Sequence, residues 1–299
     1  MTRRRENAIG VIYLSLTALC WGFVASTVKR LTAEVDPYTI SFSRVVLAAV
    51  AFVPLFVRQG GHWRSIRWFA PWILVGALGR AGNYILYNAG LTQMPSNAST
   101  ILAPVQAIST VLLTRWFIGE RLRGKWPGVV LSTVGLTLIW WNGKGWATLI
   151  DPRYIVGNTL LVLAGFASAL QFTSQKALSA TLSGPEILLP VFAWSTAITV
   201  PFAWTAGGFS QSYSPTAWLL TFVLGIALTG GSFFFLGEGY KRCDASTAVV
   251  ITNTCTFLTL VWSALLLHES VSLVMILGVL LGVSGAVLVV LADQRELGN

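Results

Sequence analysis

The stretch NAGLTQMPSNASTILAPVQAISTVLLTRWFIGERL, residues 88–122, has a related second copy in the same chain. The copy is GEGYKRCDASTAVVITNTCTFLTLVWSALLLHESV, residues 237–271, and a constant offset of 149 positions pairs Gly90 with Gly239. Matched glycines and a matched glutamate recur at this offset, so the match extends beyond a shared apolar character. The repeat predicts that the chain is built from two similar halves.

The composition around this repeat is that of a membrane protein. Of the 299 residues, 55% are hydrophobic and 10% are charged, whereas a soluble domain has roughly 25% charged residues. A soluble chain of this length needs a polar coat, and here apolar runs follow one another with few polar residues between them. The net charge of +9 comes from basic residues in short loops rather than from a basic face, so nucleic acid is not a predicted partner.

The apolar runs have the length that a helix needs to cross a bilayer, about 20 residues. Lipid offers no water to unpaired backbone groups, so these runs are predicted to be helices. The ten predicted spans lie near residues 8–28, 37–57, 68–89, 95–117, 125–142, 155–175, 186–206, 215–237, 245–267 and 271–292. Because five spans in each half is an odd number, the second half must enter the membrane from the opposite side. The predicted fold is an all-α integral membrane protein with two inverted five-helix repeats, residues 1–147 and 148–299.

The orientation follows from the basic residues between the spans, which favour the cytoplasmic side. One set of span ends carries thirteen Lys and Arg residues and the other set carries four. The richer set includes the ends next to both termini. We therefore expect a bacterial inner (plasma) membrane protein with both termini in the cytoplasm.

At this point the sequence resembles the drug/metabolite transporter superfamily, specifically its EamA-type ten-helix members. The resemblance covers nearly the whole chain and rests on CWGFVASTVKR at 20–30, on Pro37, Arg44, Gly90 and Pro104, and on GER at 119–121 with its counterpart HES at 268–270. Within the superfamily the chain looks most like the bacterial YddG-type exporters of aromatic and other amino acids. This resemblance implies transport of small solutes, most simply amino acids, by alternating access around a central cavity. Asn253 replaces Pro104 in the second half, and Ser168 stands opposite Trp21, so the two halves need not present mirrored pocket surfaces.

The third predicted span contains an arginine, Arg80, near its middle. A charge at that depth costs from about 2.5 kcal/mol upward, and charged groups in membranes usually face a polar cavity. At 3.6 residues per turn, Arg80, Asn83, Tyr84 and Tyr87 lie along one helical face. We expect this face to bind the substrate, with the guanidinium holding a carboxylate. The alternative is that Arg80 snorkels or bonds to helix carbonyls and has only a structural role.

Further candidates are polar or amphipathic residues in or near the predicted spans. Trp21 and Trp194 are predicted walls of the substrate site, and the sequence places Lys29 and Lys176 at equivalent span ends as possible gates that pair with carboxylates. Arg44 is a third possible gate or a structural residue. The remaining candidates are Asn97, Gln106, Gln171, Gln175, Asn253 and Trp262.

The positions of the acidic residues bear on whether transport is coupled to protons. All eleven lie at termini, in loops or near span ends, and both histidines are also at the edges, which disfavours a proton-coupled mechanism. Metal-ligand spacing and catalytic motifs are absent from the sequence, so no enzyme, metal or cofactor is predicted. The alternatives that remain are a proton-coupled drug/metabolite exporter and a channel. The sequence does not predict an oligomeric state.

Overall fold

The computed structural model of this chain describes residues 3–59, 68, 70–94, 96–120, 124–141 and 152–296. Every regular element in this part is helical, which confirms the predicted all-α class. The α-helices are α1 Arg3–Gly22, α2 Val24–Leu31, α3 Pro37–Arg58, α4 Pro71–Gln93, α5 Leu102–Phe117, α6 Trp126–Trp141, α7 Pro152–Leu178, α8 Gly184–Thr205, α9 Pro215–Phe222, α10 Ser232–Tyr240, α11 Ala245–Thr252, α12 Cys255–Leu267 and α13 Leu273–Glu296. A 3₁₀-helix, Ser96–Ile101, precedes α5, and a π-helix, Val223–Gly231, joins α9 to α10.

Eight helical stretches in the described residues are long and apolar enough to cross a membrane, and α6 is a shorter apolar helix. Each of the ten predicted spans overlaps a helix. The third predicted span falls on α4, which has 23 residues but, with Arg80 and several amides, is too polar to count among the eight. A count of ten crossings therefore stays a prediction. The predicted boundary between the halves, at residues 147 and 148, lies outside the described residues.

Several predicted spans are interrupted rather than continuous α-helices. The first span breaks at Phe23, between α1 and α2, and the ninth breaks at Asn253 and Thr254, between α11 and α12. Apolar periodicity continues across these positions, so the sequence pattern does not reveal them. The first break lies where the chain packs closely on α12, since a Cβ on Gly22 would lie 2.5 Å from the Leu258 Cβ.

Contacts between distant residues define two ends of the bundle. Glu6 of α1 pairs with Arg242, and Lys125 before α6 pairs with Asp244, so both ion pairs lie at the end where the chain starts. A Cβ on Gly128 of α6 would lie 2.8 Å from the amide nitrogen of Val289, close to the end of α13. The start of α1 and the end of α13 therefore lie at this end, which we call the terminal side, and the other end is the opposite side.

Helices α1 and α7 run in opposite directions through the bundle. Gly10, near the start of α1, packs on Cys243 at the terminal side, whereas Lys29 of α2 bonds to the Met94 carbonyl at the opposite side. In contrast, Gly157 near the start of α7 packs on Met94, and Lys176 at its end bonds to the Cys243 carbonyl. A large buried core that includes Phe56, Phe192 and Tyr240 fills the bundle toward the terminal side.

Candidate functional site

A cavity lies between the buried core and the opposite side of the bundle. It has about 680 Å³ of space outside any atom, including the part that is open to solvent. Helices from both halves form its wall, among them α1, α3, α4, α5, α7, α10 and α12. Five of the six predicted binding residues line it, namely Trp21, Arg80, Asn83, Tyr84 and Tyr87.

Arg80 projects from the middle of α4 and is 2% exposed. Its Nη2 donates a hydrogen bond to Gln171 Oε1 of α7, and its Nη1 lies 3.4 Å from Asn83 Oδ1. Its Cζ lies over the Phe233 ring, 3.9 Å from the centroid, and a desolvated cation over an aromatic ring gains about 2 kcal/mol. These partners offset part of the cost of the buried charge, and none of them is a carboxylate.

Small residues allow α4 and α7 to come close enough for these bonds. A Cβ on Gly79 would lie 2.6 Å from the Ala167 carbonyl oxygen, and one on Gly76 would lie 2.6 Å from Ser174 Oγ. Small residues at such contacts are typical of helix pairs in membranes, where packing rather than the hydrophobic effect joins the helices. The glycines of α4 thus place Arg80 against α7.

Arg44 of α3 reaches the same cavity. It is 4% exposed, and its Nε donates to Thr229 Oγ1 of the π-helix at 3.3 Å. The Arg44 Cζ lies 3.8 Å from the centroid of the Tyr84 ring, and the Arg80 Cζ lies 4.8 Å from the same centroid. One tyrosine ring therefore contacts two guanidinium groups. The sequence offered Arg44 as a possible gate or a structural residue, and in the structure it lies with the predicted binding residues.

Aromatic side chains form one wall of the cavity. Trp21 stacks on Phe172 with ring centroids 5.5 Å apart and an interplanar angle of 7°, and its Nε1 donates to Ser232 Oγ at 2.8 Å. The Trp21 ring also contacts Phe233, at 5.4 Å between centroids. Phe172 and Phe233 were not among the site residues predicted from the sequence. Phe233 lies 149 positions after Tyr84, so extending the repeat alignment would have identified it.

A chain of polar side chains forms the other wall. Ser168 Oγ donates to Gln106 Oε1 at 2.8 Å, and Gln106 Nε2 donates to Asn253 Oδ1 at 3.2 Å. Asn253 Nδ2 then donates to a backbone carbonyl at 3.2 Å. Ser168 and Asn253, the two departures from the repeat, therefore lie together on the cavity surface.

Trp194, the sixth predicted binding residue, does not line this cavity. Its Nε1 donates to the Trp68 carbonyl at 3.0 Å, and its ring packs near Ile73 and Val191. The sequence suggested an aromatic wall residue, but the rotation of α8 directs this ring toward the start of α4.

The predicted gates Lys29 and Lys176 donate to backbone carbonyls, and among the described residues neither forms an ion pair with a carboxylate. Lys29 Nζ donates to the carbonyls of Leu91 and Met94 at 2.8 and 2.7 Å, at the end of α4. Lys176 Nζ donates in the same way to the carbonyls of Tyr240 and Cys243 at the end of α10. A lysine near the last carbonyls of a helix stabilises the negative end of its dipole. These contacts are therefore helix caps at equivalent positions.

The other candidates are divided among three places. Gln106 and Asn253 line the cavity, whereas Gln171 and Gln175 lie behind Arg80, with Gln171 Nε2 donating to Gln175 Oε1 at 2.8 Å. The Trp262 ring stacks on Phe23, 4.2 Å away, outside the cavity lining. The side chain of Asn97 lies outside the described part of the structure.

The fold and the cavity define a multi-pass membrane transporter of small solutes, and comparisons with known proteins support this class. The sequence matches the EamA-like transporter family over residues 8–141 and again over residues 155–291. The chain therefore belongs to the EamA-like transporter family, within the drug/metabolite transporter superfamily, which confirms the family resemblance.

Relatives and a solved structure cover most of the chain. The uncharacterized inner membrane transporter YhbE of Escherichia coli K12 is 23% identical over 301 residues, 95% of this chain and 91% of its own. A biotin transporter of Salmonella typhimurium is 24% identical over 247 residues, 80% of this chain and 79% of its own. A solved crystal structure aligns with a TM-score of 0.76 at 19% identity, covering 96% of this chain and 98% of that one, which shows a shared fold. Neither relative has a name that points to amino acids.

Proposed function

We propose that this protein exports or facilitates the passage of small organic solutes that carry a carboxylate, amino acids including aromatic ones first among them. The observation that carries the proposal is the cavity with Arg80 at its wall. A guanidinium presents a planar fork that binds a carboxylate through two parallel hydrogen bonds. Biotin, which the Salmonella relative is named for, also carries a carboxylate.

The aromatic wall of the cavity supports the proposal that the solutes include aromatic compounds. Trp21, Phe172 and Phe233 offer flat apolar surfaces beside the guanidinium. An aromatic or other apolar group can stack on these rings while its carboxylate reaches Arg80. Pockets that join apolar walls with a few placed polar groups are typical of small-molecule sites.

Alternating access by two inverted halves is the proposed mechanism. The inverted arrangement is supported by matched positions of the two repeats, which make similar contacts at opposite ends of the bundle. Gly10 packs on Cys243 and Gly157 packs on Met94, and the two lysine caps are related in the same way. Two similar halves in opposite orientation give inward-open and outward-open states of comparable energy around one site.

Uncoupled transport is favoured over proton coupling by the residues around the cavity. Its described lining contains neither an acidic residue nor a histidine. Glu238, an acidic residue near the end of α10, instead pairs with Lys241 and Arg242 at 2.6 and 2.8 Å. A proton-coupled exporter and a channel are the alternatives that the test must separate.

The test is transport by the purified protein in proteoliposomes. Uptake of labelled phenylalanine should saturate, accelerate when unlabelled phenylalanine is present inside, and respond little to an imposed pH gradient. Arg80→Ala should abolish this exchange while the protein still inserts and folds, and Arg80→Lys should rescue it poorly because an ammonium cannot reproduce the planar fork. Linear flux would indicate a channel, and a strict need for a pH gradient would indicate proton coupling.

A further inference from the structure

The cavity contains two buried positive charges without a described counter-ion. Arg44 and Arg80 both line it, and neither forms an ion pair in the part of the chain that the structure describes. Both Cζ atoms lie within 5 Å of the Tyr84 centroid, at 3.8 and 4.8 Å, and both guanidinium groups line the same cavity. Two unpaired cations at this depth are costly, and a bound anion would offset that cost.

The described lining of the cavity contains no negatively charged side chain to receive a positive group. The amide oxygens at its wall already accept hydrogen bonds: Gln106 Oε1 from Ser168, Asn253 Oδ1 from Gln106, and Asn83 Oδ1 from Arg80. Behind Arg80, the oxygens of Gln171 and Gln175 are likewise engaged. An ammonium group would meet two guanidinium charges with no carboxylate in the described lining to offset the repulsion.

We propose that the solute of this carrier has a net negative charge, and that Arg44 is a specificity-determining residue that binds a second anionic group beside the carboxylate held by Arg80. This inference rests on the proposed function. Among its carboxylate solutes it favours organic anions, including amino acids with a second acidic group, over zwitterions such as phenylalanine. The repeat supports a special role for this charge pair: Thr229, 149 positions after Arg80, provides the Oγ1 that bonds to Arg44. The second half thus supplies a ligand for Arg44 rather than a second arginine.

Four compounds that share a phenyl ring and differ in charge test this proposal. They are phenylsuccinate, a dianion; 3-phenylpropionate, a monoanion; phenylalanine, a zwitterion; and phenethylamine, a cation. Binding to the purified protein, measured by calorimetry and by thermal shift, should weaken in that order, with at least a tenfold gap between phenylpropionate and phenylalanine. Tighter binding of phenylalanine than of phenylpropionate would overturn the inference while leaving the proposed function intact.

Variants of Arg44 separate its role from that of Arg80. Arg44→Gln should remove the preference for phenylsuccinate over phenylpropionate and keep phenylpropionate binding, whereas Arg44→Lys should retain part of the preference. Arg30→Gln is the matched control, since Arg30 is exposed at the end of α2 on the opposite side and the variant loses the same charge outside the cavity. An unchanged preference in a folded Arg44→Gln protein would overturn the role of Arg44.

A second measurement does not depend on the solute. Cys255 lines the cavity, so its rate of reaction with small methanethiosulfonates reports the local potential. In a Cys20→Ser, Cys243→Ser protein, a sulfonate-bearing reagent should react at least tenfold faster than a trimethylammonium-bearing one, and Arg44→Gln should reduce that ratio. Equal rates would overturn the charge preference even if phenylalanine is transported. A thiol that neither reagent reaches would contradict an accessible cavity and overturn both proposals.

Discussion

At the scale of single residues, the immediate partners of Arg80 raise the question of whether its charge is held for a ligand. Its Nη2 donates to Gln171 Oε1, a neutral acceptor, in a position where a carboxylate would fit. Gln171 and Arg80 are both almost fully buried. A neutral partner positions the guanidinium but leaves its charge available, whereas a carboxylate would neutralise it.

Replacing that neutral partner by an acid should separate structure from function. We expect Gln171→Glu to pair with Arg80, raise the apparent melting temperature of the free protein, and weaken binding of phenylpropionate at least tenfold. Gln171→Leu is the matched control, because it removes the acceptor without adding a charge and should lower stability while keeping anion binding. Thermal unfolding and calorimetry measure both effects. Exchange at the wild-type rate in Gln171→Glu would show that Arg80 is a structural residue.

At the scale of helices, glycines determine which pairs pack closely. Helices α6 and α13 meet along a seam of glycines, where a Cβ on Gly135 would lie 2.5 Å from the Gly278 carbonyl oxygen. Likewise, a Cβ on Gly285 would lie 2.6 Å from the Gly128 carbonyl oxygen. The short helix α6 therefore depends on this contact for its place in the bundle.

Adding one methyl group to the seam should be destabilising. Gly135→Ala forces backbone atoms apart and should lower the apparent melting temperature in detergent by several degrees, since overpacking typically costs about 1–3 kcal/mol. Gly82→Ala is the control on α4, where the nearest atom to a new Cβ is the Ala167 Cβ at an ordinary 3.6 Å. If both variants melt at the wild-type temperature, the seam does not hold α6 in place.

Two glutamates, Glu120 and Glu269, link the halves by accepting hydrogen bonds at the start of a helix in the other half. Glu120 accepts hydrogen bonds from the backbone nitrogens of Ala245 and Ser246, at the start of α11, at 3.1 and 3.0 Å. Glu269 accepts one from the Ser96 nitrogen at 2.8 Å, at the start of the 3₁₀-helix. Each half thus caps a helix of the other.

At the scale of the whole molecule, the two ends of the bundle are closed by different interactions. The ion pairs Lys125–Asp244, at 2.6 Å, and Arg242–Glu6, at 3.0 Å, both join the halves at the terminal side. Among the described residues, no equivalent ion pair joins the halves at the opposite side. Additional contacts at one end favour the state that is closed there.

Removing one of these pairs should shift the conformational equilibrium. In a Cys20→Ser background, Lys125→Met should increase the labelling of buried Cys243 by an uncharged maleimide about tenfold, a change of about 1.4 kcal/mol. Labelling of Cys255 in the cavity should fall. Lys241→Met is the matched control, because Lys241 pairs with Glu238 within one half and its loss should change neither rate. Equal labelling in Lys125→Met and wild type would contradict the closing role of the pair.

The proposed orientation gives a separate test. Thr181 follows α7 at the terminal side, and Ser212 precedes α9 at the opposite side; both are exposed. Cysteines introduced singly at these positions should react with an impermeant thiol reagent from opposite sides of the membrane, with Ser212→Cys reacting from outside intact cells. Reaction of both from one side would contradict the inverted arrangement.

The sequence by itself determined the class, the family and the positions of most helices. The apolar runs, the repeat and the mid-span Arg80 can all be read from the sequence without knowing which helices touch. The thickness of the bilayer and the lack of water in it require the apolar runs to be helices. The rotation of each helix and the breaks within spans depend on contacts between residues far apart in sequence. Only the tertiary structure therefore shows that Arg44, a possible gate or structural residue by sequence, lies in the cavity beside Arg80, and that Trp194 lies outside the cavity lining. The physical reason is that glycine contacts and cross-half hydrogen bonds, rather than periodicity, decide which polar side chains meet.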